Sequence, residues 1–421
     1  MKFGIFYQHQ LPRPWCEGAE HRLLKESVEQ VELADRLGIH YVWAAEHHFL
    51  EEYGHSSAPE VFLAACSQVT ERIRLGHGIM HLPPEFNHTA RVAERIATLD
   101  LLSDGRVEFG TGEASSRIEL DGFEIDRATK REQWAEAVDA VARMFVEEPF
   151  AGYSGKHFRM PPRNVLPKPM QAPHPPMWVA CSRRETIRVA ARSGMGALCF
   201  SFVDPAEAKQ WVEEYYSTID SESCVAAGLA VNPNIAVVMP MMLHNDETEA
   251  IRRGRDGARF FAFGLGHYYA FGNHRPGKTD LWSEYKSYEV LADLSLAGEA
   301  ASVEHPAHGF MQHFGGGWQS CIGTPEKARS MLRAYAEAGV DQVIFAVQAG
   351  HNEHAHICES MQLFADEVMP EFVAAESDRQ RVKLDRYSTA MNAALARRTA
   401  PPSVASNYAV ESVPNSSAPR P

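Results

Sequence analysis

Eight short apolar or β-branched runs, amphipathic stretches of helical length between most of them, and no glycine fingerprint after the first run predict an α/β chain folded as a (β/α)8 TIM barrel. The runs are Lys2 to Tyr7, His40 to Ala45, Arg74 to His81, Arg106 to Gly110, Met177 to Cys181, Ala197 to Ser201, Ile235 to Leu243 and Gln342 to Val347. Parallel strands covered by helices on their outer face read as near-continuous apolar runs, which is what these segments show. A doubly wound sheet is the competing architecture. Its usual G-x-G-x-x-G is absent, and Gly110-Thr111-Gly112-Glu113-Ala114-Ser115 breaks the pattern at the third glycine.

The intervening helices follow from spacing and caps. Leu24, Val28, Val31, Ala34 and Leu37 share one helical face, and Gly38 stands where a left-handed cap is expected. Thr324-Pro325-Glu326 opens the last strong helix with a cap residue and a proline at the first helical position, and Gly339 closes it. Between the seventh and eighth strands, residues 258–318 interrupt the repeat with Phe260, Phe261, Phe263, Tyr268, Tyr269, Phe271, Trp282, Tyr285 and Tyr288 among glycines and histidines. Two readings stand for this insertion: a helical excursion that packs aromatics onto the barrel, and a lid that closes an apolar pocket at the catalytic face. The barrel domain is expected to span residues 1–375, and 376–421 to form a disordered or loosely packed tail, rich in Pro, Ser and Ala beyond Thr399.

The 421 residues are 45% hydrophobic and 23% charged, enough for one large core with insertions. A formal charge of −14 argues against a general nucleic-acid or anionic-membrane surface, so any bound phosphate must be gripped locally. No apolar run reaches the ~18 residues of a membrane span, and no basic region followed by an apolar stretch opens the chain, so a cytoplasmic protein is expected. Seven cysteines without a Cys-x-x-C pair fit a reducing compartment better than a disulfide or zinc framework.

The chemistry concentrates after the second run, where Tyr41-Val42-Trp43 leads into Glu46-His47-His48. The C-terminal ends of barrel strands carry catalytic groups, and imidazole is the side chain that titrates nearest neutral pH. Adjacent strand residues point to opposite faces, so one of the two histidines is expected to line the pocket while the other supports it.

Met1-Lys2-Phe3-Gly4, Glu46-His47-His48-Phe49, Gly76-His77-Gly78-Ile79-Met80-His81-Leu82-Pro83 and Leu99-Asp100 with Ser103-Asp104-Gly105-Arg106 resemble the bacterial luciferase-like flavin monooxygenases in order and spacing. Phe109-Gly110, Ala180-Cys181-Ser182, Gly323-Thr324-Pro325-Glu326 and Phe364-Ala365-Asp366-Glu367-Val368-Met369-Pro370 continue the resemblance to about residue 370. It implies a (β/α)8 barrel that binds reduced FMN (FMNH2), supplied by a separate NAD(P)H:flavin reductase. In such a two-component enzyme, oxygen and reduced flavin form a C4a-(hydro)peroxyflavin that oxygenates a small apolar organic substrate. His47 matches the family's catalytic histidine, with Glu46 beside it and His48 as its companion. Gly78-Ile79 falls where the family carries a non-prolyl cis peptide against the flavin ring. For the flavin phosphate, Arg131 matches the arginine at the helix start after the fourth strand, and Ser182 a hydroxyl after the fifth, with Cys181, Arg183, Arg184 and Thr186 beside it. A helix N-terminus and a guanidinium are suited to a phosphate. The sequence departs from luciferases proper at Gly112-Glu113, where they place a reactive cysteine and a phosphate-gripping arginine. Glu113 is expected to pair with Arg131 or with Arg183, and light emission is not expected. The family's tendency to dimerise makes a homodimer the expected assembly.

Three alternatives remain open. Relatives on the same barrel transfer hydride with the deazaflavin F420, more often with an Asp-His pair after the second strand. Some luciferase relatives bind flavin without catalysis. A metal-dependent hydrolase is prompted by His351, His354 and His356 after the last strand, although the first strand ends in Gln8-His9-Gln10 rather than a His-x-His ligand pair.

Overall fold

The computed structural model describes residues 1–200, 203–296, 305–315 and 320–410. Its centre is a closed ring of eight parallel strands: β1 (Lys2–Tyr7), β2 (Tyr41–Ala44), β3 (Arg74–His77), β4 (Val107–Gly112), β5 (Met177–Cys181), β6 (Gly196–Cys199), β7 (Ile235–Leu243) and β8 (Gln342–Ala346). Each strand pairs with its neighbour in sequence. β1 also pairs with β8, Lys2 opposite Gln342 and Phe6 opposite Ala346, which closes the (β/α)8 barrel.

Alternation along the strands divides the core in two. Phe3, Ile5 and Tyr7 of β1 turn outward into the large cluster under the helices. Phe6 turns inward to join Trp43, Trp178, Leu198, Val238 and Ile344 in the barrel lumen. The lumen is therefore packed, and chemistry is left to the rim. Glycines set some of this packing: a Cβ on Gly110 would overlap the His77 carbonyl oxygen, and one on Gly76 the Trp43 ring. The helix Ala19–Leu37 ends at Gly38 in the left-handed region (φ 83°), and Thr324 caps Pro325–Glu337 by accepting from the Lys327 N–H at 3.4 Å.

Three features differ from expectation. The third strand stops at His77, passes through a cis Gly78–Ile79 peptide and resumes at Met80–His81 beside Thr111 and Gly112 of β4. Cys321–Gly323 adds a parallel strand along the end of β7, too short for periodicity to reveal. Most importantly, residues Glu376–Ala396 of the expected loose tail form a 21-residue helix. Ion pairs hold its start, and Tyr387, Met391, Ala394 and Leu395 pack its end on the main core. Glu376 pairs with the Met1 amine, Arg379 and Lys383 both reach Asp341, and Tyr387 stacks on Tyr216 at 4.9 Å. Tail residues 399–410 carry no helix or strand, and 411–421 lie outside the described residues.

The aromatic insertion is helical. It runs from the helix Glu247–Gly266 through a π turn, His267–Phe271, to the helices Leu281–Leu296 and Ala307–Gly315. Phe260, Phe263, Tyr268, Leu281, Tyr285 and Tyr288 form a separate apolar cluster with Leu50 and Tyr53, so the excursion docks on the segment just after β2. Expected insertion residues 297–304 and 316–318 lie outside the described residues. Among the described residues no helix is long and apolar enough to cross a membrane.

Candidate active site

The backbone leaving β2 is pinned on three sides. Ala45 N–H donates to Tyr7 O at 2.9 Å, Glu46 N–H to Ile79 O at 3.0 Å and His47 N–H to Ser56 O at 2.9 Å. This holds Glu46-His47-His48 at the rim between β1 and β3. Glu46 is buried. Its Oε2 accepts from the His81 backbone N–H at 2.7 Å, and its Oε1 accepts from Asn87 at 2.9 Å and pairs with His48 Nε2 at 3.1 Å. Burial pushes this carboxyl up, but the His48 hydrogen bond, the His81 charge and the two donors outweigh it and hold it at about 2. Glu46 is thus a fixed anion.

His47 makes a different pair. Its Nδ1 lies 3.0 Å from Glu119 Oε1, and its Nε2 lies 3.3 Å from Gln8 Nε2, which also donates to Tyr53 OH at 3.1 Å. Glu119 sits on the short helix Arg117–Gly122 after β4, fully buried, and also accepts from the His48 backbone N–H at 3.0 Å. Burial raises its carboxyl; the His47 charge and hydrogen bond, then His81, bring it below the usual value. Each imidazole thus has its own carboxylate: Glu46 holds His48, and Glu119 holds His47. The two imidazoles also have different neighbours. His47 faces Tyr53 at 5.8 Å, whereas His48 packs edge-on to Phe123 at 4.9 Å and beside Phe86 at 6.0 Å. The His81 ring lies just over 6 Å from both, and burial lowers its pKa.

Gly78-Ile79 and Gly112 meet on the next two strands, where a Cβ on Gly112 would overlap the end of the Ile79 side chain. The absence of a side chain at Gly112 therefore makes room for the end of Ile79. Glu113, the next residue, pairs with Arg131 (2.7 Å) and with Lys130 (3.3 Å), at the start of the helix Lys130–Val146. Of the two expected partners for Glu113, the structure supplies Arg131.

After β5, Arg183 caps the helix Arg184–Arg192, with its N–H donating to Thr186 Oγ1 at 3.2 Å. Arg184 and Arg188 both pair with Glu214, away from this helix start. Cys181 points into the helical layer rather than toward the rim. Its Sγ lies 3.4 Å from Thr186 O, and burial pushes the thiol up to about 12 although the Arg131 charge pulls the other way. Cys181 can therefore serve a ligand only through its backbone, with Ser182 next in the chain.

The insertion meets this rim through the π turn. Tyr268 lies 5.9 Å from Tyr53, and the phenol of Tyr269 is pushed up by burial and then by the nearby Glu119 and Tyr53. The histidines that prompted the hydrolase reading scatter instead: His351 packs on Trp282, His354 pairs with Gln30, and His356 faces Glu353 at 3.7 Å. Among the described residues the groups with metal-ligand spacing are Glu46, His48 and His81, and His47, His81 and Glu119, all at the β2 rim. Within them the carboxylates are already joined to imidazoles by hydrogen bonds. Gln8, Tyr53, Glu119 and Lys130 are site residues that sequence reasoning missed.

The family model for luciferase-like monooxygenases matches residues 1–342. The chain is 23% identical to the oxygenase component of a flavin-dependent trigonelline monooxygenase from Acinetobacter baylyi, over 91% of this chain and 99% of that one. It is 35% identical to limonene 1,2-monooxygenase of Rhodococcus erythropolis over 35% of this chain and 36% of that one. The match spans about half the length of two uncharacterized proteins of Sinorhizobium fredii, y4wF (38% identical, 42% of this chain, 51% of that one) and y4vJ (29% identical, 41% and 48%). Among solved structures, the monooxygenase RslO1 of Streptomyces bottropensis superposes with a TM-score of 0.67 at 26% identity, over 89% of this chain and all of that one. An F420-dependent tetrahydromethanopterin reductase of Methanopyrus kandleri shares the fold at 18% identity, with a TM-score of 0.61 over 88% of this chain and 99% of that one. The closed barrel, the histidines at the end of its second strand and the match over residues 1–342 lead to one assignment: the chain belongs to the luciferase-like monooxygenase family.

Proposed function

We propose that the protein is the oxygenase of a two-component flavin monooxygenase, taking FMNH2 from a separate NAD(P)H:flavin reductase and using O2 to oxygenate a small apolar organic substrate. The observation that carries this reading is the imidazole of His47, held by a buried carboxylate at the rim of a packed barrel and roofed by an aromatic insertion. The full-length similarity to a protein named as an oxygenase component supports the reductase as partner.

The residues fit FMN. Lys130 and Arg131 exceed Glu113 by one positive charge at the start of the helix Lys130–Val146, and that charge and the start of the helix Arg184–Arg192 each suit a phosphate in an otherwise acidic protein. Arg131, Lys130, Ser182, Arg183 and Thr186 would hold the phosphate, and Gly78-Ile79 with Gly112 would meet the ring system. Reduced flavin, when bound, supplies the electrons that activate oxygen. The chain's own work is to move a proton at His47, to keep Glu46 and His48 fixed behind it, and to exclude water with Tyr53, Tyr268 and Tyr269. A homodimer and a cytoplasmic location complete the proposal.

Hydride transfer with F420 is the competing reading, since relatives on this fold include F420-dependent enzymes. Anaerobic titration with reduced FMN and with reduced F420 separates the two, followed by exposure to 18O2 with a panel of apolar substrates. Preference for FMN and 18O in a product support the proposal. Preference for F420, with substrate reduced or oxidised but no 18O incorporated, would replace it.

A further inference from the structure

Glu119 is nowhere in the motif that marks the site, yet it makes the most direct contact with the residue expected to move the proton. It lies 72 positions from His47 in sequence and is fully buried, with Oε1 3.0 Å from His47 Nδ1 and the same oxygen 3.0 Å from the His48 N–H. An ionised carboxylate only accepts. Facing Glu119, His47 Nδ1 must therefore carry the proton, which leaves Nε2 of the neutral ring as the acceptor.

The opposite side of the ring is arranged to match. Gln8 Nε2 lies 3.3 Å from His47 Nε2 and 3.1 Å from Tyr53 OH, so the amide donates to both. This orientation leaves Gln8 Oε1 buried without a partner, as is Glu119 Oε2. Glu46, the carboxylate adjacent in sequence, is saturated by His48, Asn87 and the His81 N–H.

We infer that Glu119 is the positioning residue of this site: it fixes His47 as the Nδ1–H tautomer and leaves Nε2, on the Gln8 and Tyr53 side, as the atom that takes the proton. The inference rests on the proposed function for its catalytic meaning, but the tautomer exists without turnover and is measured separately. A carboxylate that orients a catalytic imidazole in this way is worth up to ~10⁴-fold in turnover in the serine proteases, where replacing the acid by its amide reverses the tautomer.

The test is two-bond 1H–15N correlation spectroscopy on protein with 15N-labelled histidine rings, with His47→Gln supplying the assignment. The wild type should show His47 as Nδ1–H. Glu119→Leu, which removes the acceptor, should release the ring to populate Nε2–H, whereas Glu119→Gln should keep Nδ1–H, because one oxygen serves both His47 Nδ1 and the His48 N–H and an amide oxygen in its place accepts from both. Glu119→Asp should retain the original pattern in part, and Glu46→Gln should move the His48 signals while leaving His47 unchanged. A wild-type His47 carrying its proton on Nε2 would overturn the inference even if Glu119→Leu did not fold, as would an unchanged tautomer in a folded Glu119→Leu protein. In the oxygenation assay, Glu119→Leu should lower kcat by ~10²–10⁴-fold with KM changed far less. If no substrate is oxygenated by the wild type while the tautomers behave as described, the proposed function fails and the positioning role stands.

Discussion

Replacing Glu52 by alanine should detach the aromatic insertion from the barrel while leaving the barrel folded. Glu52 is buried on the turn after β2, and its carboxylate accepts from the N–H groups of Leu281 (2.6 Å) and Trp282 (3.1 Å), which open the helix Leu281–Leu296. It also accepts from the Arg13 N–H at 2.9 Å. Alanine leaves the first donors of that helix without an acceptor. Each unsatisfied buried donor costs ~1–3 kcal/mol, and Trp282 is only part-buried, so the insertion should lose about 2–5 kcal/mol. At a factor of ten per ~1.4 kcal/mol, its local opening equilibrium rises by about 30-fold to several thousand-fold. Glu51, which accepts from the Gly277 N–H at 2.7 Å and pairs with His274, remains as a weaker hold. Hydrogen exchange read by mass spectrometry gives the answer: peptides covering 279–292 should exchange faster by that factor, while peptides from β1 and β8 keep their protection. Unchanged exchange in 279–292 would refute the assignment of Glu52 as the anchor, and uniform acceleration would show that insertion and barrel unfold together.

Three further outcomes are expected. Gly110→Ala forces a Cβ onto the His77 carbonyl, a backbone atom that cannot turn aside, and should lower stability by more than ~4 kcal/mol; Gly112→Ala meets only the flexible end of Ile79 and should cost ~1–3 kcal/mol, both read from thermal melts. Glu376 is raised by burial but held at about 2 by Arg379 and the Met1 amine, against 4.5 unfolded, so its stabilisation is present above pH 4.5 and is lost as pH falls toward 2. That shift corresponds to at most about 3 kcal/mol, reduced by the cost of burying the Met1 amine, and Glu376→Gln should flatten the acid limb of the stability curve measured by denaturant melts. Arg131→Ala should weaken reduced FMN ~10–100-fold while sparing reduced riboflavin, and Glu113→Gln, which relieves Lys130 and Arg131, should tighten FMN; equal losses for both flavins would move the phosphate elsewhere.

Most barrel strands are legible because they are apolar runs long enough to show against polar flanks, as in Ile235–Leu243, where every residue is buried. Cys321–Gly323 offers three residues and no such contrast. The helix Glu376–Ala396 escapes for another reason. Its apolar face, Tyr387, Met391, Ala394 and Leu395, is confined to the last turns, and its start is held by charges whose partners, Met1 and Asp341, lie far away in sequence. The site divides in the same way. Glu46, His47 and His48 announce themselves by contiguity, whereas Glu119 is one carboxylate in the unremarkable run Arg-Ile-Glu-Leu-Asp-Gly, and its meaning arises only when the helix after β4 folds over the end of β2.

That folding also joins the roof of the site to its chemistry. Glu52 and Tyr53 are neighbours on one short turn. Glu52 holds the start of an insertion helix, and Tyr53 packs against Tyr268 and Phe261 on one side while its hydroxyl holds Gln8 on the other. Gln8 then faces His47 Nε2, and Glu119 faces Nδ1. A shift of the insertion that drags Tyr53 would release the Gln8 amide and with it the donor opposite Nε2. The donor opposite His47 Nε2 therefore depends on the contact between Tyr53 and the aromatic insertion, while the acceptor opposite Nδ1 does not.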